Sequence, residues 1–512
     1  MDVPKPQSRD SISLERIEHV SDLIGSWGRL QSRLFLLVAF VYIASPLNNY
    51  SLYFYVIKID FWCVGSDNEI LSKPNQCDFP EAQTCSNWHY NGTRKTVIRE
   101  WNLVCDRSRL LYSTLSVYQV GFMVSGFLIG YVSDKFGRKK GLIVSLIIEM
   151  VSSAGLSLAP NIYLFIFFRF VHGIGGYGRY LSSILLLVES VGPKLRGKVF
   201  VAFEWIYHLS SYSVIFLAYW IQNYRHIYAS ASIYSIFSIF MASLVEESPR
   251  WQLTQGRTEE ARKTLLKYSK LQTEEEKQIF EQKMNKLKQF LNKTHPDSFG
   301  NLLDIWRVSR LRNYCFFSYF LWFSTAFSVY ALSFSTLDIT GNPFTNQAIL
   351  GFSGIFSITY LQWRVEKHAR RLLISFCLFS MFLVMISLAI VGDSAKYATQ
   401  KMGLLLLGGF FISTAFSLLY IYTSEMYPTS LRHVGVGSCS FFARIGTIIA
   451  PFMGELTRKE SIGLTWGTIS VISLLGGMSM LFLPETRGRE MPDTVEDMLE
   501  MTNKKANSPN PS

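Results

Sequence analysis

The chain has 512 residues, of which 49% are hydrophobic, 15% aromatic and only 17% charged, with a net charge of +12. That composition is too apolar for an ordinary soluble domain. It also excludes a nucleic-acid binder, because the cations fall in short segments between apolar runs, as Lys and Arg do in the cytoplasmic loops of membrane proteins. The sequence presents no nucleophile, metal-ligand or phosphate-binding constellation, so neither an enzyme nor a cofactor is expected.

Residues 1–33 are polar, charged and Ser-rich, with no cleavable signal, and are expected to stay in the cytoplasm. Residues 34–57 form the first run long enough to span, since ~20 residues cross the hydrocarbon. Pro46, Asn48 and Asn49 interrupt it. Polar groups at that depth must face protein or a water-filled cavity, so either this helix lines something or the asparagines mark its outer end. A polar insert at 58–109 then holds Cys63, Cys77, Cys85 and Cys105 and a sequon at Asn91. After one crossing it lies outside, where four cysteines imply two disulfides in any of three pairings and Asn91 is the expected glycosylation site. Cys315, Cys377 and Cys439 fall in apolar runs and read as buried thiols.

Five more spans are expected at 110–132, 141–158, 163–188, 199–221 and 227–245. The inner links are basic, at Lys135 to Lys140 and at Lys194, Arg196 and Lys198, while the outer links are short and carry few charges. The hydrophilic stretch 246–312 has a helical period around 258–291 and is expected to form short amphipathic helices under the bundle. A second set of six spans follows at 314–334, 347–364, 372–391, 402–422, 434–454 and 464–483, with a tail at 484–512. The expected fold is an all-α membrane protein: twelve transmembrane helices in two six-helix halves, 34–245 and 313–483, with N and C termini cytoplasmic.

The halves repeat in detail. Glu366 to Arg371 follows span eight where Asp134 to Lys139 follows span two, although the second copy lacks both glycines, which weakens it as a rapid gate. Glu189 to Arg196 after span four has a counterpart in Glu425 to Arg432 after span ten. An acid and an arginine at matching inner ends can pair across the halves when the outer mouth is open and separate when it closes. Such repetition is the sequence mark of a rocking transporter with its site between the halves. Asp134, Arg138, Glu189, Arg196, Glu425 and Arg432 are therefore the gating candidates.

The inner turn Gly130-Tyr-Val-Ser-Asp134-Lys-Phe-Gly137-Arg138-Lys-Lys140 resembles the signature loop between helices two and three of the major facilitator superfamily. A narrower resemblance rests on Glu100-Trp-Asn-Leu-Val-Cys105-Asp, Arg169-Phe-x-x-Gly173, Glu189-x-x-Gly-Pro193-x-x-Arg196, Glu247-Ser-Pro-Arg-Trp251 and Tyr420-Ile-Tyr-Thr-Ser-Glu425-Met-Tyr-Pro428. Together, over about residues 25–489, these are similar to the organic cation, organic anion and carnitine transporter family. The resemblance implies movement of small charged organic solutes across a plasma membrane by alternating access.

Charged residues inside spans are costly unless paired or hydrated, so they carry the substrate question. Arg179 lies mid-span four and is expected to face the cavity, whereas Glu149 in span three reads as a structural partner. Glu204 and His208 lie four apart on one face of span five. The carboxylate favours a cationic group or a coupling proton, or else it pairs with Arg179. Arg444 in span eleven is the most informative: the resemblance implies aspartate here in cation carriers and arginine in anion and carnitine carriers. A fixed guanidinium attracts carboxylate bidentately and repels a lone cation. Tyr180, Trp322, Tyr330, Phe416 and Tyr420 are expected to supply aromatic walls. Span eight departs from the family, because residues 351–358 hold neither the usual acid and proline nor the lysine of some anion branches. The expected function is a multi-pass cell-membrane carrier of small organic ions, with carboxylate-bearing anions or carnitine-like zwitterions preferred. The alternatives are an organic cation transporter or a non-transporting sensor or scaffold. Its partners would be the organic ion, a coupling ion or exchanged counter-substrate, and the lipid bilayer.

Overall fold

The computed structural model describes residues 17–488 and 498, apart from residues 18, 52–53, 55, 58, 66–69, 71–74, 76, 78–84, 86, 270–272, 294–308, 337–341, 365–366, 393–394, 429–430 and 454–461. The inner-loop Glu366, the side chain of Arg432 and most of segments 1–33 and 484–512 lie outside the described residues.

The first half holds α1 (Arg29–Tyr42), α2 (Ser45–Tyr50), α3 (Ser108–Phe136), α4 (Arg138–Leu158), α5 (Ile162–Ser190), α6 (Pro193–Trp220) and α7 (Tyr224–Ser243). Three short linker helices follow, α8 (Pro249–Thr254), α9 (Thr258–Tyr268) and α10 (Glu274–Lys293). The second half holds α11 (Ser309–Ser335), α12 (Pro343–Arg364), α13 (Arg370–Val391), α14 (Ala398–Met426), α15 (Arg432–Ile449) and α16 (Ile462–Leu481). Taking α1 and α2 as one broken span, the described residues form twelve long helices, and nine of these are long and apolar enough to cross a membrane. The other three are α5, α7 and α12; α5 owes its lower apolarity to Arg169, Arg179 and their polar neighbours. Helix starts are written locally: the side chains of Asn161 and Asn223 accept N–H bonds at the heads of α5 and α7, and proline opens α6. Several helices overrun the apolar runs that predicted them, as α3 does at both ends, because a helix continues through the headgroup layer.

In lipid, helices attract through close packing of small residues. Gly121 of α3 meets Gly173 of α5 so closely that a Cβ on Gly121 would lie 2.2 Å from the Phe170 carbonyl oxygen. The other crossing of α5, against α4, runs along Gly175 and Gly178. The second half has its own core, including Leu321, Trp322, Met381, Leu418 and Ile469. Beneath the bundle, Leu253, Leu265, Phe280, Met284 and Leu287 of the linker helices pack with Ile17 and Val20.

The all-α expectation needs one addition. In the cysteine-bearing insert, β1 (Phe61–Val64) pairs antiparallel with β2 (Asn87–Tyr90), Cys63 opposite Trp88. Cys63 bonds to Cys85 and Cys77 to Cys105, and Asn91 is exposed just beyond β2. Strands of four residues carry too little alternation to be read from sequence, and this ribbon is held by its cross-link more than by its pattern.

The halves meet through α3 with α15 and α6 with α12. At the end carrying the disulfides they are shut against each other. The Ser116 hydroxyl donates to the Ile448 carbonyl at 2.6 Å, and the Tyr212 hydroxyl to the Ala348 carbonyl at 3.2 Å. Phe344 at the head of α12 stacks on Phe54 at 5.1 Å, meets Tyr219 edge-on at 5.6 Å and lies under the Arg94 guanidinium at 4.8 Å.

Candidate functional site

Between the halves lies a cavity of about 230 Å³, lined by α1, α2, α3, α5 and α6 from one side and α11, α12, α14 and α15 from the other. Glu204, His208, Tyr180, Tyr330, Phe416, Tyr420 and Arg444 all line it. The first span breaks after Tyr42, and α2 resumes with Pro46 inside its first turn, which turns Asn49 toward the cavity. Asn49 donates to the Tyr207 hydroxyl at 3.1 Å and accepts from the Tyr118 hydroxyl at 2.7 Å. The interrupted helix thus lines the cavity.

Two predicted residues are not at the wall. Arg179 is 1% exposed and its Nε stands 2.9 Å from Glu149 Oε2, while its Nη1 donates to the Val41 carbonyl at 3.0 Å. Glu149 also accepts from Asn48 Nδ2. The carboxylate that claims Arg179 is therefore Glu149 on α4, not Glu204, and this pair cements α5 to α4 and the broken first span. Trp322 is fully buried behind the wall, its indole N–H donating to Thr423 Oγ1 at 2.9 Å and its ring backing Tyr420 at 4.7 Å.

Arg444 is different. Its guanidinium rests over Phe122 at 5.1 Å and Tyr177 at 5.2 Å. Among the described residues no carboxylate pairs with it. Glu204 likewise has neither a hydrogen-bond partner nor a cation among the described residues. Both charges line one cavity together with Tyr180 and Tyr420. His208 packs on Gly354 across the half boundary, where a Cβ would lie 2.3 Å from its Cε1, so glycine is what lets the ring in. Sequence reasoning passed over Tyr42, Tyr50, Phe122 and Gly354 in this wall. An aromatic or a glycine in an apolar run does not reveal which face it occupies; for Tyr42 and Tyr50 the polar break at Asn49 between them was the legible signal.

Four of the six gating candidates, Asp134, Arg138, Glu189 and Glu425, take part in two matching clusters at the linker end. Arg138 donates to Glu189 at 3.0 Å and to Asp134 at 2.6 Å, and the backbone N–H of Lys139 donates to Glu247 at 3.0 Å. Burial pushes the Glu247 carboxyl above its ordinary range, against the lowering effect of the Lys139 and Ser248 N–H donors. In the second half Arg370 lies 3.5 Å from Glu425, and Glu485 accepts the backbone N–H of Arg370 and Arg371 at 2.9 and 3.1 Å. Glu189 and Glu425 thus pair within their own halves, not across them, while the opposite end is shut. Arg196 joins neither ion pair, and its Nε is buried without a hydrogen-bond partner among the described residues. Glu485 was missed by sequence reasoning; aligning the end of span twelve with Glu247 after span six would have found it.

Residues 72–497 match the family model of sugar (and other) transporters. The organic anion transporter 3 of Rattus norvegicus is 32% identical, covering 83% of this chain and 79% of its own length. The organic cation transporter protein of Drosophila melanogaster is 26% identical over 93% of each chain. Among solved structures, the inward open conformation of the xylose transporter XylE from E. coli shares the fold, with a TM-score of 0.63 and 16% identity over 92% of this chain and 98% of that one. A two-half helical carrier with a charged aromatic cavity, and relatives that are carriers and not enzymes, lead to one assignment. The chain belongs to the sugar (and other) transporter family of the major facilitator superfamily, in its organic cation, organic anion and carnitine transporter branch, and is a multi-pass cell-membrane transporter.

Proposed function

We propose that this carrier moves small organic zwitterions that join a carboxylate to a cationic group, of the carnitine or betaine type, by alternating access. The observation that carries the reading is a pair of charges in one cavity, Arg444 from the second half and Glu204 from the first, neither of which meets an opposite charge among the described residues. A guanidinium fork suits a carboxylate, a lone carboxylate suits an ammonium, and the tyrosine faces between them suit the ammonium's apolar surface. A substrate that bridges the two charges also bridges the two halves, which gives binding a mechanical handle on their rocking.

Alternating access draws support from the closure at the disulfide end and from ion pairs that stay within each half at the linker end. In this reading the disulfide end faces outside, the linker end faces the cytoplasm, and 34–245 and 313–483 are the moving units. A plain organic anion is the second reading, favoured by Arg444 and by the similarity to the organic anion transporter 3 of Rattus norvegicus.

The test is saturable uptake of an organic cation, an organic anion and carnitine by wild type and Arg444→Ala at matched surface expression. Truncating one partner of a desolvated, hydrogen-bonded charge pair costs about 2–5 kcal/mol, so carnitine KM should rise at least tenfold in the variant. Uptake of the cation alone, undiminished by Arg444→Ala, would sink the zwitterion reading, and no saturable uptake of any tracer would favour a scaffold.

A further inference from the structure

The two cavity charges are not equivalent when the carrier is empty. Arg444 has resident compensation from the faces of Phe122 and Tyr177. Glu204 has none. The groups facing it are neutral or already engaged: Tyr42, Asn49 and Tyr50 from the first span, Tyr180 from α5, Tyr330 from α11, Gln347 and Gly354 from α12 and Tyr420 from α14. Tyr207 and His208 share its own helix, Arg179 is committed to Glu149, and Arg444 is the only cation lining the cavity among the described residues. A carboxylate shut away from water without a counter-charge is strongly disfavoured. An empty cavity that closes at both ends during its return has two ways to meet that cost, a bound cation or a proton, and water supplies the proton on either face.

We propose that the carrier is also a proton exchanger, with the empty form crossing the membrane protonated on Glu204 and the loaded form crossing with the substrate's cationic group in the proton's place. This rests on the zwitterion reading above. The balance is one for one. On the face where substrate enters, the Glu204 carboxyl releases its proton to water and pairs with the cationic group. Once the substrate leaves on the other face, the carboxylate takes a proton from water there. One proton moves against each zwitterion, and nothing is oxidised or reduced.

The experiment uses the purified full chain in vesicles, with the membrane potential clamped by potassium and valinomycin and labelled L-carnitine as the probe. One-for-one exchange makes each unit of inside-acid pH gradient worth about a tenfold accumulation of carnitine over the equal-pH level. Carnitine entry should also raise the pH reported by a trapped dye. Glu204→Asp should keep the gradient-driven accumulation and Glu204→Gln should lose it. If Glu204→Gln does not fold, the wild-type gradient and Glu204→Asp still decide. Wild type that carries carnitine saturably yet reaches the same level with and without the gradient overturns the exchange while leaving the zwitterion reading intact. Gradient-driven accumulation that persists in Glu204→Gln overturns the assignment to Glu204. Wild type that carries no carnitine at either pH overturns both.

Discussion

Arg179 and Arg444 are both arginines set at mid-membrane depth, and a single carboxylate separates their roles. Glu149 takes the first out of play, so Arg179→Ala should leave a buried acid uncompensated and destabilise the fold by about 3–5 kcal/mol, read as a lower unfolding temperature in detergent. Replacing both Arg179 and Glu149 with apolar residues of similar volume should recover most of that loss. Arg444→Ala should instead leave the unfolding temperature nearly unchanged while transport falls, because this side chain serves the cavity and not the packing. A thermal loss for Arg444→Ala as large as for Arg179→Ala would refute the distinction. The sequence makes all these charges visible as expensive residues in apolar runs, but not who meets whom. Partnership depends on the rotation of neighbouring helices, which a spacing along one helix does not encode. Trp322 illustrates the same limit, since only the position of Thr423 shows that its indole is turned away from the cavity.

At the scale of elements, the two inner turns reach one arrangement by different means. Gly137 opens α4 at φ 115°, and a Cβ there would lie 2.1 Å from Glu247 Oε2. Ala369 opens α13 at φ −62°, ordinary for any residue. The missing glycines of the second copy therefore reflect a turn that does not need them, and Arg370, Glu425 and Glu485 still assemble. Gly137→Ala should cost about 1–3 kcal/mol and depress transport by evicting the Glu247 carboxylate from the α4 head, whereas Ala369→Gly should cost no more than about 1 kcal/mol. Equal losses in paired unfolding and uptake measurements would argue against this asymmetry. The helices themselves were legible because hydropathy and basic links mark them strongly. The disulfide-tied hairpin was not, because its strands are too short to carry a period.

The molecule as a whole is held shut at one end by contacts that no sequence pattern announces. Phe344 sits in a socket made by Phe54, Tyr219 and Arg94, so one ring from the second half, gripped by three groups of the first, adds to the two hydrogen bonds that close this end. Freeing a half-buried phenyl ring costs about 1–2 kcal/mol, enough to bias the population open at the disulfide end roughly tenfold. Phe344→Ala should relax that bias and lower the apparent KM for entry through the disulfide end, with less effect on release at the linker end; an unchanged entry KM would contradict it. The socket then acts as a toll on solutes arriving at the disulfide end of the cavity. Their measured affinity is the intrinsic affinity diluted by the fraction of carriers standing open to them, so weak uptake from outside would describe the door and not the fit of the room behind it.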